Sequence, residues 1–361
     1  MNVAVCYSLT LTLRQQTLAL IYLIQTTNRG TGISMIKGIR KFSTIGAASL
    51  LAVSLVGCAE AGSGPDSSGN KVEAEAALFD PGVTTVTTTE GLVSTDWLEQ
   101  NLDDPDLVVL QIANEEGLYE RGHIPEAQKL DWYSGLTGGE SRGIIDAASF
   151  QAITSSLGIN QDSKVIVYGE THQLFATWAV WVLKIYGFNN VRLLDGGWSK
   201  WQAEGKQVSL AQPTVELGDF VPTEANLELR AFIEEVVATA SAGPDTNSII
   251  VDNRSLESYV GEETSGAKFD GHVASAENLF SFALFNEDVS YLQPAEIAAA
   301  YQAIGATADK EVILYCGTGL LASASWFALT QILGYEDVKN YDGSWTEYGN
   351  AENVPIENAV S

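Results

Sequence analysis

The run Glu311-Val312-Ile313-Leu314-Tyr315-Cys316-Gly317-Thr318-Gly319-Leu320-Leu321-Ala322-Ser323 changes character at its centre. Before Cys316 it is short, apolar and β-branched or aromatic, the composition of a buried strand. After Cys316, two glycines fall within three residues and a helical spacing of apolar residues runs over 320–333. The segment predicts a strand, a tight loop and a helix, with a thiol at the strand's carboxyl end. The N–H groups of a glycine-bearing loop and of a helix N-terminus both favour negative charge, so a thiolate is stabilised in such a place. A buried structural cysteine is the alternative, because free cysteine is among the most buried residue types.

Outward from this run, the same order of segments occurs twice. Leu107-Val108-Val109-Leu110-Gln111-Ile112, Gly122-His123, Val165-Ile166-Val167-Tyr168, an apolar helix over 175–186, Val191-Arg192-Leu193-Leu194 and Asp195-Gly196-Gly197-Trp198 make up the first copy. Ile249-Ile250-Val251-Asp252, Gly271-His272, Val312-Ile313-Leu314-Tyr315, the helix over 320–333, Val338-Lys339-Asn340-Tyr341 and Asp342-Gly343-Ser344-Trp345 make up the second. Tyr168 and Tyr315, Asp195 and Asp342, and Trp198 and Trp345 are each 147 residues apart, which indicates a duplicated domain. Short apolar strands alternating with helices predict an α/β fold, with parallel sheets flanked by helices and ligands bound beyond the strands' carboxyl ends. At the same offset Gly169 stands opposite Cys316, Glu170 opposite Gly317 and His172 opposite Gly319. The first copy therefore lacks the thiol and reads as structural; the second reads as the active copy, with the site near their interface.

The N-terminus reads as an export signal. Residues 1–58 hold no Asp or Glu; Lys37, Arg40 and Lys41 precede an apolar stretch over 45–56 and then Leu55-Val56-Gly57-Cys58. The last four residues resemble a bacterial lipobox, which implies lipidation of Cys58, a start at Met35 and a lipid-anchored location on the periplasmic side of the cell envelope. Residues 59–91 begin polar and glycine-rich and are expected to be a tether. With Cys6 removed and Cys58 lipidated, Cys316 is left as the free thiol, which is unusual in an exported protein. Removing the five basic residues of 1–58 from the 19 in the chain leaves 14 against 46 acidic, a net charge of −32. Such a surface argues against nucleic acid or anionic headgroups as partners and confines membrane contact to the lipid anchor. An anionic substrate must then be met by local donors.

The Cys316 loop, the block Tyr341-Asp342-Gly343-Ser344-Trp345-Thr346-Glu347-Tyr348-Gly349, the segment Val251-Asp252-Asn253-Arg254 with Tyr259, and the two Gly-His pairs resemble the tandem-domain rhodanese sulfurtransferases. The resemblance covers about residues 92–350. It implies two rhodanese-like domains, 92–212 and 227–352, joined by a linker over 213–226 where Pro213, Gly218 and Pro222 interrupt polar sequence. It further implies sulfur transfer from thiosulfate or 3-mercaptopyruvate through a persulfide on Cys316 to cyanide or a thiol, without cofactor or metal. Substrate binding is expected from Arg254 and from Gly317, Thr318, Gly319, Leu320 and Leu321. His123 and His272 recur at the same place in both halves, with or without the thiol, and read as structural; the mercaptopyruvate branch also offers His123 for a proton relay with Thr318, although Gln111 stands where that relay has an aspartate.

Other classes remain open at this level. A cysteine phosphatase needs an arginine six residues after the thiol, where this chain has Ala322. A lipid-tethered binding module with a buried Cys316, or a sulfur carrier for a protein partner, is compatible with the same sequence. Oligomeric state is not written in it.

Overall fold

The computed structural model describes residues 91–138, 143–169, 173–244 and 247–358. The expected signal segment with Cys58, and the tether up to residue 90, lie outside them. Among the described residues no helix is long and apolar enough to cross a membrane.

The first half contains β1 (Leu92–Val93), β2 (Leu107–Ala113), β3 (Ala127–Asp131), β4 (Lys164–Gly169) and β5 (Val191–Leu194). They form one sheet in the order β1-β5-β4-β2-β3, with every neighbouring pair parallel. Helices α1 (Thr95–Asn101), α2 (Ala147–Ser156), α3 (Leu174–Ile185) and α4 (Gly197–Ala203) accompany it. β2 and β4 are central and buried on both faces, which is why each reads as a mainly apolar run, with Gln111 the polar exception in β2. Two of these helices, α1 and α2, start where a side chain satisfies free N–H groups. Asp146, for example, accepts from Ala148 and Ser149, both at 3.0 Å, at the head of α2.

The second half contains β6 (Ser248–Asp252), β7 (His272–Val273), β8 (Glu277–Asn278), β9 (Glu311–Tyr315), β10 (Val338–Asn340) and β11 (Ile356–Glu357). Its helices include α5 (Ile233–Ala242), α6 (Pro294–Ala303), α7 (Leu320–Phe327) and α8 (Ser344–Tyr348). The parallel sheet runs β10-β9-β6-β8. Arg230 bridges Asn340 in parallel at its β10 edge, as Leu92 pairs with Leu193 in the first half. One feature departs from a purely parallel expectation: β7 and β11 pair antiparallel, because the chain returns after α8 and lays Ile356 against buried Val273.

The repeat holds at the level of single hydrogen bonds. The Tyr168 hydroxyl donates to Gln111 Oε1 (2.6 Å) and accepts from the Ile124 N–H (3.2 Å). The Tyr315 hydroxyl donates to Asp252 Oδ2 (2.6 Å) and accepts from the Val273 N–H (3.1 Å). The helix expected over 320–333 is α7 followed by a wider π turn at Ala328–Ile332. There Thr330 Oγ1 donates back to the Trp326 carbonyl at 2.8 Å and competes with the regular ladder.

α3 and α7 are apolar on almost every side, and such helices have to be buried. They lie against each other, so the two halves share one core that includes Trp178, Val182, Trp326 and Phe327. Within that contact the hydroxyls of Thr177 and Ser323 are 2.9 Å apart. The segment over 213–226 has no regular element, yet it is fastened to the first half. Phe220 is buried and its N–H donates to the Ile159 carbonyl (3.1 Å), and the Asn226 N–H donates to the Ile185 carbonyl (2.8 Å).

Candidate active site

β9 ends at Tyr315 and α7 begins at Leu320, so the loop between them is Cys316-Gly317-Thr318-Gly319. Its carbonyls are drawn toward the head of α8. The Trp345 N–H donates to the Cys316 carbonyl (2.9 Å), and the Thr346 N–H (3.0 Å) and Oγ1 (2.7 Å) donate to the Gly317 carbonyl. Ser344 holds the other side: its hydroxyl accepts from the Cys316 N–H at 3.0 Å and donates to the Tyr341 carbonyl at 2.7 Å. With these groups engaged, the Gly319 N–H donates to Cys316 Sγ at 3.1 Å. A donor at that distance favours negative charge on the sulfur. Cys316 is the free cysteine among the described residues and is almost wholly buried.

The two loop glycines differ. Gly319 has φ +83°, and a Cβ there would lie 2.8 Å from Asp342 Cα and 2.9 Å from Trp178. A Cβ on Gly317 would meet nothing within 4 Å. Gly319→Ala is therefore expected to cost about 3 kcal/mol from backbone strain and overlap, whereas Gly317→Ala stays within about 1 kcal/mol. Urea unfolding of the two variants measures the difference.

A cavity of about 380 Å³ adjoins the loop, lined by Thr318, Thr346, Asp342 and Glu347 and by the strap Arg230-Ala231-Phe232. Asp342 is buried, and burial pushes its carboxyl up, although Arg230 beside it works in the opposite direction. Arg230 Nε and Nη2 donate to Asp342 Oδ1 and Oδ2 at 2.7 and 2.8 Å. A second cavity of about 440 Å³ lies toward the other end of α7, beside Trp326 and Thr330, and is lined by no cysteine or histidine.

The first half shows how the corresponding place is filled. Gln173 Oε1 accepts from the Gly169 N–H (3.3 Å) and Nε2 donates to the Leu194 carbonyl (2.7 Å). These are the two bonds that Ser344 makes in the second half, since Gly169 stands opposite Cys316 and Leu194 opposite Tyr341. Gly197 stands opposite Ser344, and the two have similar left-handed φ values, +53° and +51°. An amide has replaced a hydroxyl, and the place opposite Cys316 carries no thiol.

Of the loop residues Thr318 lines this cavity, and the other residues singled out in the sequence have the following surroundings. Arg254 does not line the cavity. It is buried, with Nε 3.0 Å and Nη2 2.6 Å from the Asp252 carboxylate and Nη2 2.7 Å from the Gly271 carbonyl. Its guanidinium carbon lies 4.4 Å from the Trp345 ring centre. Burial opposes its charge, but Asp252 outweighs that and holds its pKa above the ordinary value. Its Nε and Nη2 hold β6 against the turn before β7. His123 is held within its own half. Its Nδ1 lies 2.9 Å from the Tyr119 carbonyl and its Nε2 3.1 Å from the Ala211 carbonyl, and its ring stacks on Tyr119. Both nitrogens are used within its own half, and no hydrogen bond joins it to Thr318 among the described residues. Leu320 and Leu321 open α7 half-buried against the shared core and are not part of the cavity wall.

Sequence reasoning missed Ser344 and Arg230. Ser344 sat in plain view inside the Asp342–Trp345 block. Arg230 had no linear signal, since its place depends on the register that pairs it with Asn340. Among the described residues no group of three or more His, Cys, Asp or Glu is arranged to hold a metal ion.

Comparison with known proteins agrees with this architecture. The rhodanese-like domain pattern matches residues 94–204 and 235–351. A protein of Saccharopolyspora erythraea named putative thiosulfate sulfurtransferase is 38% identical over 276 residues, covering 74% of this chain and 96% of that protein. The sulfur carrier protein TtuD of Thermus thermophilus is 36% identical over 274 residues, with 74% and 96% covered. The anaerobic ergothioneine biosynthesis enzyme of Chlorobium limicola shares the fold, with a TM-score of 0.66, 24% identity, and 75% of this chain and 71% of that one covered. Two matched domains, and relatives aligned over nearly their whole length, show that the chain belongs to the rhodanese family as a tandem-domain sulfurtransferase.

Proposed function

We propose that the chain moves a sulfane sulfur from thiosulfate or 3-mercaptopyruvate to cyanide or a thiol through a persulfide on Cys316. The observation that carries this reading is the Gly319 N–H on Cys316 Sγ at 3.1 Å, beside a cavity, in the half that keeps the thiol. The thiolate attacks the outer sulfur of thiosulfate; the S–S bond breaks and sulfite leaves with its electron pair. With 3-mercaptopyruvate the C–S bond breaks, the electron pair passes to the carbon as an enolate, and the thiol proton transfers to it to give pyruvate. Either route leaves Cys316 as a persulfide anion. Cyanide then takes the outer sulfur as thiocyanate and restores the thiolate, in two covalent half-reactions. The Gly319 N–H on Sγ is a donor for the thiolate formed again at the end of the cycle.

Donor choice is testable at Gly317. A Cβ at Gly317 meets nothing within 4 Å, and a cation there offers a dianion what the acidic surface withholds. Gly317→Arg is expected to raise kcat/KM for thiosulfate relative to 3-mercaptopyruvate about tenfold, since a hydrogen bond to a charged group contributes ~1.5 kcal/mol. Steady-state comparison of the two donors measures it, and an unchanged ratio counts against an anion poised over Gly317. The name of the Thermus relative favours a second reading, in which the persulfide sulfur is handed to a protein acceptor. A lipid-anchored, envelope-facing location rests on residues 1–58 alone; radiolabelled lipid incorporated into the wild type but not into Cys58→Ala tests it.

A further inference from the structure

An anionic donor entering this cavity meets an acidic background, with Asp342 and Glu347 in the wall. Among the described lining residues Arg230 is the single cation. Its side chain is 19% exposed, so it is neither sealed in the core nor loose in solvent. Nε and Nη2 are spent on Asp342, which fixes the guanidinium plane, while Nη1 makes no hydrogen bond to any described residue. The duplicated half serves as an internal control. In the half without the thiol, the position with the same register is Leu92, paired with Leu193 as Arg230 is paired with Asn340. A guanidinium thus stands at this sheet edge in the half that keeps the thiol, and an alkyl chain stands in the half that lacks it.

We propose that Arg230 is a specificity-determining residue of the donor site, binding a donor carboxylate through Nη1 while Asp342 holds its plane. The inference rests on the sulfur-transfer reading and narrows it. Asp342 offsets most of the arginine's charge and Glu347 adds another negative group, so the wall suits a monoanion better than a dianion. The donor class it selects is a thiol-bearing monocarboxylate, of which 3-mercaptopyruvate is the probe.

The test is steady-state kinetics of the purified wild type, Arg230→Lys, and the double variant Arg230→Leu/Asp342→Asn, with 3-mercaptopyruvate or thiosulfate as donor and cyanide as acceptor. The double variant removes the buried acid along with its partner, so it does not strand a charge. The expected result in both variants is a KM for 3-mercaptopyruvate about tenfold higher or more, with kcat kept within about threefold and a smaller change for thiosulfate. An unchanged KM overturns the proposal. So does a fall in kcat for both donors together with a lowered melting temperature at constant KM, because that is what a purely structural latch gives. If the wild type itself forms no persulfide with either donor, the parent reading fails and this one with it, a result distinct from variants that match an active wild type.

Discussion

Cys316→Ser is expected to reduce sulfur transfer by a factor of about 10³ or more with every donor, while leaving the fold intact. Serine is nearly the same shape, and its oxygen accepts the Gly319 N–H that now reaches Sγ. The Ser344 and Trp345 contacts are to the backbone of residue 316 and do not depend on the side chain. Stability is therefore expected to move by less than about 1.5 kcal/mol, the range of a near-isosteric core change. What is lost is the nucleophile, because a neutral hydroxyl with no adjacent base does not attack a sulfane sulfur. Activity assays paired with urea unfolding separate the two effects. Retained transfer in a folded Cys316→Ser protein rules Cys316 out as the carrier.

The second large effect falls on stability. Arg254→Ala leaves the fully buried Asp252 carboxylate with the Tyr315 hydroxyl and backbone but without its counter-charge. Removing one partner of a buried ion pair costs about 3–5 kcal/mol. In a protein of this size that lowers the melting temperature by about 6–12 °C. Arg254→Met combined with Asp252→Asn is expected to recover much of the loss, since the amide oxygen still accepts from Tyr315 and no charge is stranded. Calorimetry of the single and double variants checks this. A normal melting temperature with a raised donor KM in Arg254→Ala would instead make this arginine part of the substrate site.

The architecture was legible because its signals are local. The apolar runs that became β2, β4 and β9, the turn glycines and the 147-residue offset are all readable along the chain, and they placed a thiol at a strand's carboxyl end. The loop itself was legible for the same reason, since Cys316, Gly317, Thr318 and Gly319 are contiguous. The arginines were not. Arg254 lies beside the loop's strand in sequence logic, but whether its fork points to a ligand or back to Asp252 two residues earlier is decided by burial. Arg230 is 86 residues from Cys316 in sequence and reaches the cavity only through its pairing with Asn340. His123 reads as structural from its recurrence as His272, and both its ring nitrogens lie on carbonyls. Gln173 gave no sign that its amide takes over the two hydrogen bonds of a serine in the other copy.

The most direct measurement is the intact mass of the purified protein after incubation with 3-mercaptopyruvate or thiosulfate, followed by cyanide. The expected result is a gain of one sulfur atom on the wild type, its loss as thiocyanate when cyanide is added, and no gain on Cys316→Ser. No gain on the wild type with either donor, or a gain that persists in Cys316→Ser, contradicts it.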